Sequence, residues 1–322
     1  MRNIDYYKNK KITVVGLARS GVACANLLYD LGADVSVTDN KDNDITCTNV
    51  LKLKSKEIKF ELGRHSQEFI KDKDLVVISP GVTNDALPVI WAREFKIPII
   101  SEIELAWNLC SGILIAVTGT NGKTTVTTLI GKILEAKGNK VFVCGNIGNP
   151  FSGEVAKIGD SDYVSLEVSS FQLEWIRGFK PKISVILNFT CNHMDRYRNM
   201  QEYLTAKKRI FMNQDKSGFL VLNNEDPVVK SLSQESRANI VYFSQKHGLN
   251  PNQAAVLAVA SIFNVKKEIA LKVFGEFKGI EHRLEYVTEI NNVTFINDSK
   301  SSTADCSLWA LRNISSPVVL IS

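Results

Sequence analysis

The stretch Val117-Thr-Gly-Thr-Asn-Gly-Lys-Thr-Thr125 concentrates groups that can hold the phosphates of a nucleotide. It joins a Val/Ile run at 113–117 to a helical pattern. Successive backbone N–H groups and the positive end of a helix can therefore converge on phosphate oxygens. Lys123 would bring a mobile point charge to the terminal phosphates, and the Thr124 hydroxyl would ligate Mg²⁺. Gly119, Thr120, Asn121, Gly122 and Thr125 complete the expected ATP cradle, although Val117 stands where the usual phosphate loop has its first glycine.

Further along, Tyr163-Val-Ser-Leu-Glu167 reads as a strand with a carboxylate at its end. A lone strand-end glutamate is more often a surface residue. One strand beyond a phosphate loop, it can share a magnesium ion, a hard cation that takes oxygen ligands and keeps several waters. The run Asn188-Phe-Thr-Cys-Asn-His-Met-Asp-Arg-Tyr197 gathers polar side chains after another apolar segment. Clustered with Asn188, Asn192 and Asp195, His193 is a candidate ligand for a second metal or its bound water. The helical pattern at 201–212 carries Lys207, Lys208 and Arg209, which composition alone assigns to a solvated basic face.

A second glycine turn lies earlier, Gly16-Leu-Ala-Arg-Ser-Gly21, with Asp39 about twenty residues on. A tight turn at a helix start attracts anions, and the carboxylate can accept hydrogen bonds from a ligand. Ala18 replaces the middle glycine that a dinucleotide site wants. A structural turn, an NAD site and another nucleotide-like ligand all stay open on this motif. Ser79-Pro-Gly81, after a later strand, could line the same crevice.

The elements needed to position these groups are legible. Val/Ile-rich runs at 12–16, 75–79, 113–117 and 183–187 read as buried parallel strands between helical patterns, which makes the class α/β. The two glycine turns imply two nucleotide-type units in tandem, with the boundary near 102–112. A third unit begins late, with a strand at 293–297, a helix at 303–312 and a strand at 317–322. At 322 residues and 44% hydrophobic, the chain has material for two or three cores. Lys and Arg number 39 against 34 Asp and Glu, and the lysine clusters at 8–11 and 52–59 read as solvated faces, so no nucleic-acid partner is expected. The cysteines at 24, 47, 110, 144, 191 and 306 form no Cys-x-x-Cys pair and are expected as free thiols in a reducing cytosol. No apolar run approaches the ~18 residues of a membrane span, so a soluble cytoplasmic protein without membrane insertion is expected.

Several segments together resemble the Mur ligases, in the members that add D-glutamate. They are the loop at 118–125, Gly145-Asn-Ile-Gly-Asn-Pro150, Glu167-Val-Ser-Ser-Phe-Gln-Leu-Glu174, His193-Met-Asp-Arg-Tyr197, Tyr203-Leu-Thr-Ala-Lys-Lys-Arg-Ile-Phe211, His282-Arg283 and Asn297-Asp-Ser-Lys300. The resemblance implies an N-terminal Rossmann-like domain for a UDP-sugar (1–104), a central P-loop ATPase-type domain (105–280) and the beginning of an incomplete C-terminal Rossmann-like domain for D-glutamate (281–322). It implies that Arg19, Ser20, Asp39, Asn40, Ser79 and Gly81 form the UDP pocket, with Asn146 and His193 near the muramoyl-alanine end. Thr124, Glu167, His193 and a carbamylated Lys207 would serve two Mg²⁺ ions, while Asn250, Arg283, Asp298 and Lys300 would surround the adenine nucleotide. Lys123, Glu167, His193 and Lys207 would carry the catalysis.

The implied reaction joins D-glutamate to UDP-N-acetylmuramoyl-L-alanine at the expense of ATP, through an acyl phosphate, in a monomer that makes peptidoglycan precursors. Two departures accompany the resemblance. The part after Glu281 is shorter than the family's last domain, and Leu249 stands where the family has a histidine. A non-catalytic remnant or nucleotide-binding module of the same family is the alternative. Folylpolyglutamate synthases share the loop but not the Gly16/Asp39 unit, and an NAD enzyme leaves 118–125 unexplained.

Overall fold

The computed structural model describes residues 4–245, 248–301, 304–312 and 314–321. Thr303, Ser322 and the side chain of Cys306 lie outside the described residues. Strands β1 (Lys11–Val15), β2 (Asp34–Asp39), β3 (Lys59–Leu62), β4 (Leu75–Ile78) and β5 (Ile99–Ser101) form one sheet in the order β3-β2-β1-β4-β5. Every neighbouring pair is parallel. Ile12 and Val14 of β1 enter one apolar cluster and Val15 another, because both faces of the strand are covered. This is why the strand reads as a continuous Val/Ile run rather than an alternation.

The second sheet holds β6 (Ile113–Thr118), β7 (Val141–Gly145), β8 (Tyr163–Glu167), β9 (Ile183–Ile186), β10 (Phe219–Asn223) and β11 (Asn239–Phe243), in the order β11-β10-β9-β6-β8-β7. It too is wholly parallel. Ile115, Val117, Val185 and Val221 pack under the helices Lys123–Ala136 and Pro251–Ile262. Leu114, Ala116 and Leu166, on the other face, join the cluster that contains Ile12 and Val14. One core therefore runs between the two sheets.

The helix Glu102–Leu109 lies in that shared core, with Ile103, Leu105, Ala106 and Leu109 buried. Its two buried glutamates need partners, because an uncompensated carboxylate is costly away from water. Glu104 accepts from the backbone N–H groups of Gly178 (2.7 Å) and Phe179 (2.9 Å). Glu102 Oε1 accepts from Ser152 N at 2.6 Å, while Oε2 has no partner, and burial pushes this carboxyl up despite the hydrogen bonds.

Strands β12 (Glu285–Ile290) and β13 (Val293–Asn297) form an antiparallel hairpin. Its turn uses Asn291 and Asn292 at φ 50° and 61°, a left-handed pair that asparagine tolerates better than most residues. The helix Ala304–Arg312 follows. The strand expected at 317–322 is not formed: among the described residues 317–321 pair with no other segment, and Val319 and Ile321 are 90% and 91% exposed. An apolar run becomes a strand only where a neighbour supplies a hydrogen-bond ladder. No helix among the described residues is long and apolar enough to cross a membrane, and Cys24, Cys47, Cys110, Cys144 and Cys191 are not in disulfides.

Candidate active site

The carboxyl ends of β6, β8 and β9 meet at the loop after β6. Gly119 (φ 154°) and Gly122 (φ 82°) give this loop its path. A Cβ on Gly122 would sit 2.4 Å from Asn252 Oδ1, so a larger residue there meets both a backbone and a packing barrier. Asn188, just past β9, holds the loop in shape. Its Oδ1 accepts from Thr120 N (3.0 Å) and Asn121 N (2.8 Å), and its Nδ2 donates to Asn121 O (3.1 Å). Thr120 Oγ1 donates to Thr190 O, accepts from Thr190 N and lies 3.4 Å from the Tyr203 hydroxyl.

Two lysines converge on one carbonyl oxygen. Lys123 Nζ donates to Gly119 O (3.1 Å) and Thr120 O (2.8 Å), and Lys207 Nζ donates to the same Gly119 O at 2.8 Å. Lys207 is only 2% exposed and lies over the Tyr203 ring at 4.6 Å. Burial, and then the Lys123 charge, hold its amine well below the usual lysine range. The solvated basic face expected from composition is thus corrected. The helix Met200–Lys208 turns Lys207 inward, and Arg209 donates to Leu173 O and Ile176 O, while Lys208 pairs with Glu235.

Glu167 ends β8 opposite Val117 of β6 in the parallel ladder. Register partners point to the same face, so its side chain lies on the face covered by the helix that leaves the loop. It is 2% exposed; Oε1 accepts from Asn146 Nδ2 at 2.8 Å, and Oε2 is buried with no partner. An orphan carboxylate oxygen at the end of the strand next to a phosphate-type loop fits a hard cation. No group of three His, Cys, Asp or Glu converges on one point among the described residues, so phosphate or water oxygens would have to complete the shell.

His193 stands in a turn at φ 57°, with its ring 4.7 Å from Phe171 and 5.9 Å from Tyr203. Burial first, then Lys207 and Lys123, lower its pKa, so the imidazole stays neutral and keeps a lone pair for a ligand.

At the first sheet, Asp39 binds the glycine turn itself: Oδ2 accepts from Leu17 N at 2.6 Å and Oδ1 from Lys41 N at 2.9 Å. Ser79 Oγ donates to Gly16 O at 3.0 Å. Arg19 Nη1 reaches Gly148 O at 3.2 Å, so this turn and the 145–150 loop are neighbours. Ser20 is half-buried, and Asn40 and Gly81 are exposed. Asn250 does not face the phosphate loop with its oxygen. It caps the helix Pro251–Ile262 by accepting from Gln253 N at 3.0 Å. Arg283, Asp298 and Lys300 form a group of their own at the hairpin: Asp298 accepts from Leu284 N, and the Arg283 and Lys300 backbone N–H groups donate to Ile280 O and His282 O.

The sequence reading assigned no role to Asn252 or Tyr203, and it counted Asn188 only as one polar group among several. A polar residue just past the strand next to β6 was the available signal for Asn188. Asn252 and Tyr203 reach the loop only through packing.

The Mur ligase middle domain family matches residues 117–291, and the Mur ligase MurD-like N-terminal domain matches 10–101. The chain is 38% identical to the UDP-N-acetylmuramoylalanine--D-glutamate ligase of Thermoanaerobacter pseudethanolicus and 40% identical to that of Geotalea uraniireducens. Each comparison covers 98% of this chain and 77% of the relative. Among solved structures, UDP-N-acetylmuramate-alanine ligase of Thermotoga maritima shares the fold, with a TM-score of 0.56 and 21% identity over 90% of this chain and 74% of that one. A Neisseria meningitides ligase of UDP-N-acetylmuramate and L-alanyl-gamma-D-glutamyl-meso-diaminopimelate gives 0.59 and 18% over 84% and 99%. With sequence identity of this order along nearly its whole length, the chain belongs to the Mur ligase family, in its D-glutamate ligase branch.

Proposed function

We propose that this chain is the ATP-dependent amide ligase that adds D-glutamate to UDP-N-acetylmuramoyl-L-alanine in peptidoglycan precursor synthesis. The observation that carries the reading is the phosphate-type loop itself, where Lys123 and Lys207 converge on Gly119 O at the end of β6, the strand paired with the one that Glu167 ends with a buried, partnerless Oε2. In the first step an oxygen of the alanyl carboxylate attacks the γ-phosphorus of ATP and ADP leaves. In the second, the amine of D-glutamate attacks the acyl carbon, phosphate departs and the amide forms.

The protein's part in the first step is positioning and charge neutralisation. The loop 119–125 orients the phosphates, and Lys123 leaves its carbonyl partners to meet the terminal ones. Asn188 keeps the loop from collapsing. Thr124 and Glu167 would hold one Mg²⁺, and His193 with a carbamylated Lys207 a second; the bound cations neutralise phosphate charge. A depressed amine pKa suits Lys207 to react with CO₂, since only the neutral amine is nucleophilic.

Arg19, Ser20, Asp39, Asn40, Ser79 and Gly81 form the UDP pocket, with Asn146 toward the reacting end. Arg283, Asp298 and Lys300, with Asn250, serve the adenine nucleotide. The units 1–104, 105–280 and 281–322 correspond to the UDP-sugar domain, the ATPase domain and the start of the D-glutamate domain. The protein acts as a cytoplasmic monomer.

The test is phosphate release with ATP, Mg²⁺, UDP-N-acetylmuramoyl-L-alanine and D-glutamate. Release that depends on all four is expected. Nucleotide binding without turnover would leave only a binding module of the same family, and absence of both would remove the reading.

A further inference from the structure

The segment around His193 is tied to the first sheet by one side chain to which nothing above gives a role. Arg196 Nη2 donates to Val82 O at 2.9 Å, in the loop that follows Ser79, and to Glu174 Oε2 at 2.8 Å. Both charged side chains are about nine-tenths covered, at 12% and 8% exposed. Glu174 Oε1 also accepts from the Tyr197 hydroxyl at 2.8 Å. Arg196 N and Tyr197 N both donate to His193 O, so the pair closes the turn on which His193 stands.

A line of contacts runs on from the guanidinium. Its carbon lies 4.8 Å from the Phe171 ring centroid, Phe171 lies 4.7 Å from the His193 ring, and His193 lies 5.9 Å from Tyr203. Tyr203 meets both Thr120 of the phosphate loop and the Lys207 ammonium. Next to Glu174, Trp175 binds the first sheet as well, its carbonyl accepting from Ser101 N and its ring stacking under Arg93.

We infer that Arg196 is a positioning residue: through Glu174 and Phe171 it fixes His193 in register with both the Ser79–Val82 loop and the phosphate loop. A substrate that spans the crevice, with its uridine end at the first sheet and its carboxylate at the second, needs that register. A ligand confined to one side does not. This inference rests on the proposed ligase reading for its substrate, but the register of His193 can be tested without it.

Two measurements on the full chain decide the matter. First, Arg196→Met should weaken binding of UDP-N-acetylmuramoyl-L-alanine by about tenfold or more, the loss expected for hydrogen bonds made by a charged group. UDP alone and a non-hydrolysable ATP analogue with Mg²⁺ should bind as before, and Arg196→Lys should recover part of the loss. Phe171→Leu should give the same selective loss, and the double variant should fall well short of the product of the two, because the residues act in one line.

Second, the chain has four histidines, at 65, 193, 247 and 282, so the His193 imidazole can be followed by NMR in selectively labelled protein. Arg196→Met should shift or broaden that signal while the His65 signal stays in place. Equal losses for all three ligands with a lowered melting midpoint, or an unmoved His193 signal, would overturn the inference. Failure of the parent protein to bind the sugar nucleotide would instead count against the ligase reading, and the NMR result would still judge the register.

Discussion

The chain contains two glycine turns on two parallel sheets, and charges of opposite sign are set against them. In the first, Asp39 from the adjoining strand binds the turn that leads into the helix, taking the Leu17 N–H at 2.6 Å. In the second, the adjoining strands supply a neutral amide, Asn188, and a carboxylate, Glu167, that points to a partnerless position, while two lysines crowd Gly119 O. The first turn carries its own negative charge, so it suits a ligand that donates hydrogen bonds to a carboxylate. The second gathers two lysine ammonium groups at Gly119 O, next to the strand that ends in Glu167. Strand-turn-helix geometry offers N–H groups in both; the end of the neighbouring strand sets the charge beside them.

The most drastic way to break this contrast is Lys123→Ala. Loss of the cation that serves the terminal phosphates should cost about 100-fold or more in ATP affinity, in line with losing one charged donor to a buried oxyanion. Calorimetric titration of an ATP analogue checks it, and an unchanged affinity would defeat the assignment of the loop. Asn188→Ala comes next. It leaves the Asn121 N–H without its acceptor and the Thr120 N–H with the Asn188 carbonyl alone, at a cost of about 1–3 kcal/mol, so ATP binding and the melting midpoint should both drop.

Asp39→Asn probes the other turn. Weakening the acceptor for Leu17 N and Lys41 N should loosen UDP binding by roughly tenfold or less with ATP binding intact. Tighter UDP binding would mean that the carboxylate had mainly repelled the diphosphate.

The smallest effect concerns the joint between the sheets. The buried Glu102 carboxyl has a raised pKa, so the native state keeps its proton at pH values where the unfolded chain has lost it. Stability should therefore fall as pH rises from the unfolded carboxyl's range through the raised value. For this one group the slope is at most about 1.4 kcal/mol per pH unit. Glu102→Gln should remove that slope in melts followed across pH, and an unaltered slope would assign it to other groups.

The parallel strands, both glycine turns, Lys123 and the strand-end position of Glu167 were legible because each depends on local pattern: buried Val/Ile runs, glycine spacing and the strand's end. The inward turn of Lys207 was not visible in composition, since a Lys-Lys-Arg run gives no hint of which residue faces the core. Likewise, the apolar run at 317–321 had strand composition but no partner among the described residues. The sequence by itself determined an α/β chain with a phosphate loop and a candidate metal carboxylate. Only the tertiary structure decided that Asn188 grips the loop, that Lys207 and Lys123 share a carbonyl, and that Asp39 is committed to its own turn. These are contacts between residues far apart in the chain, fixed by which strands lie side by side and not by any local propensity.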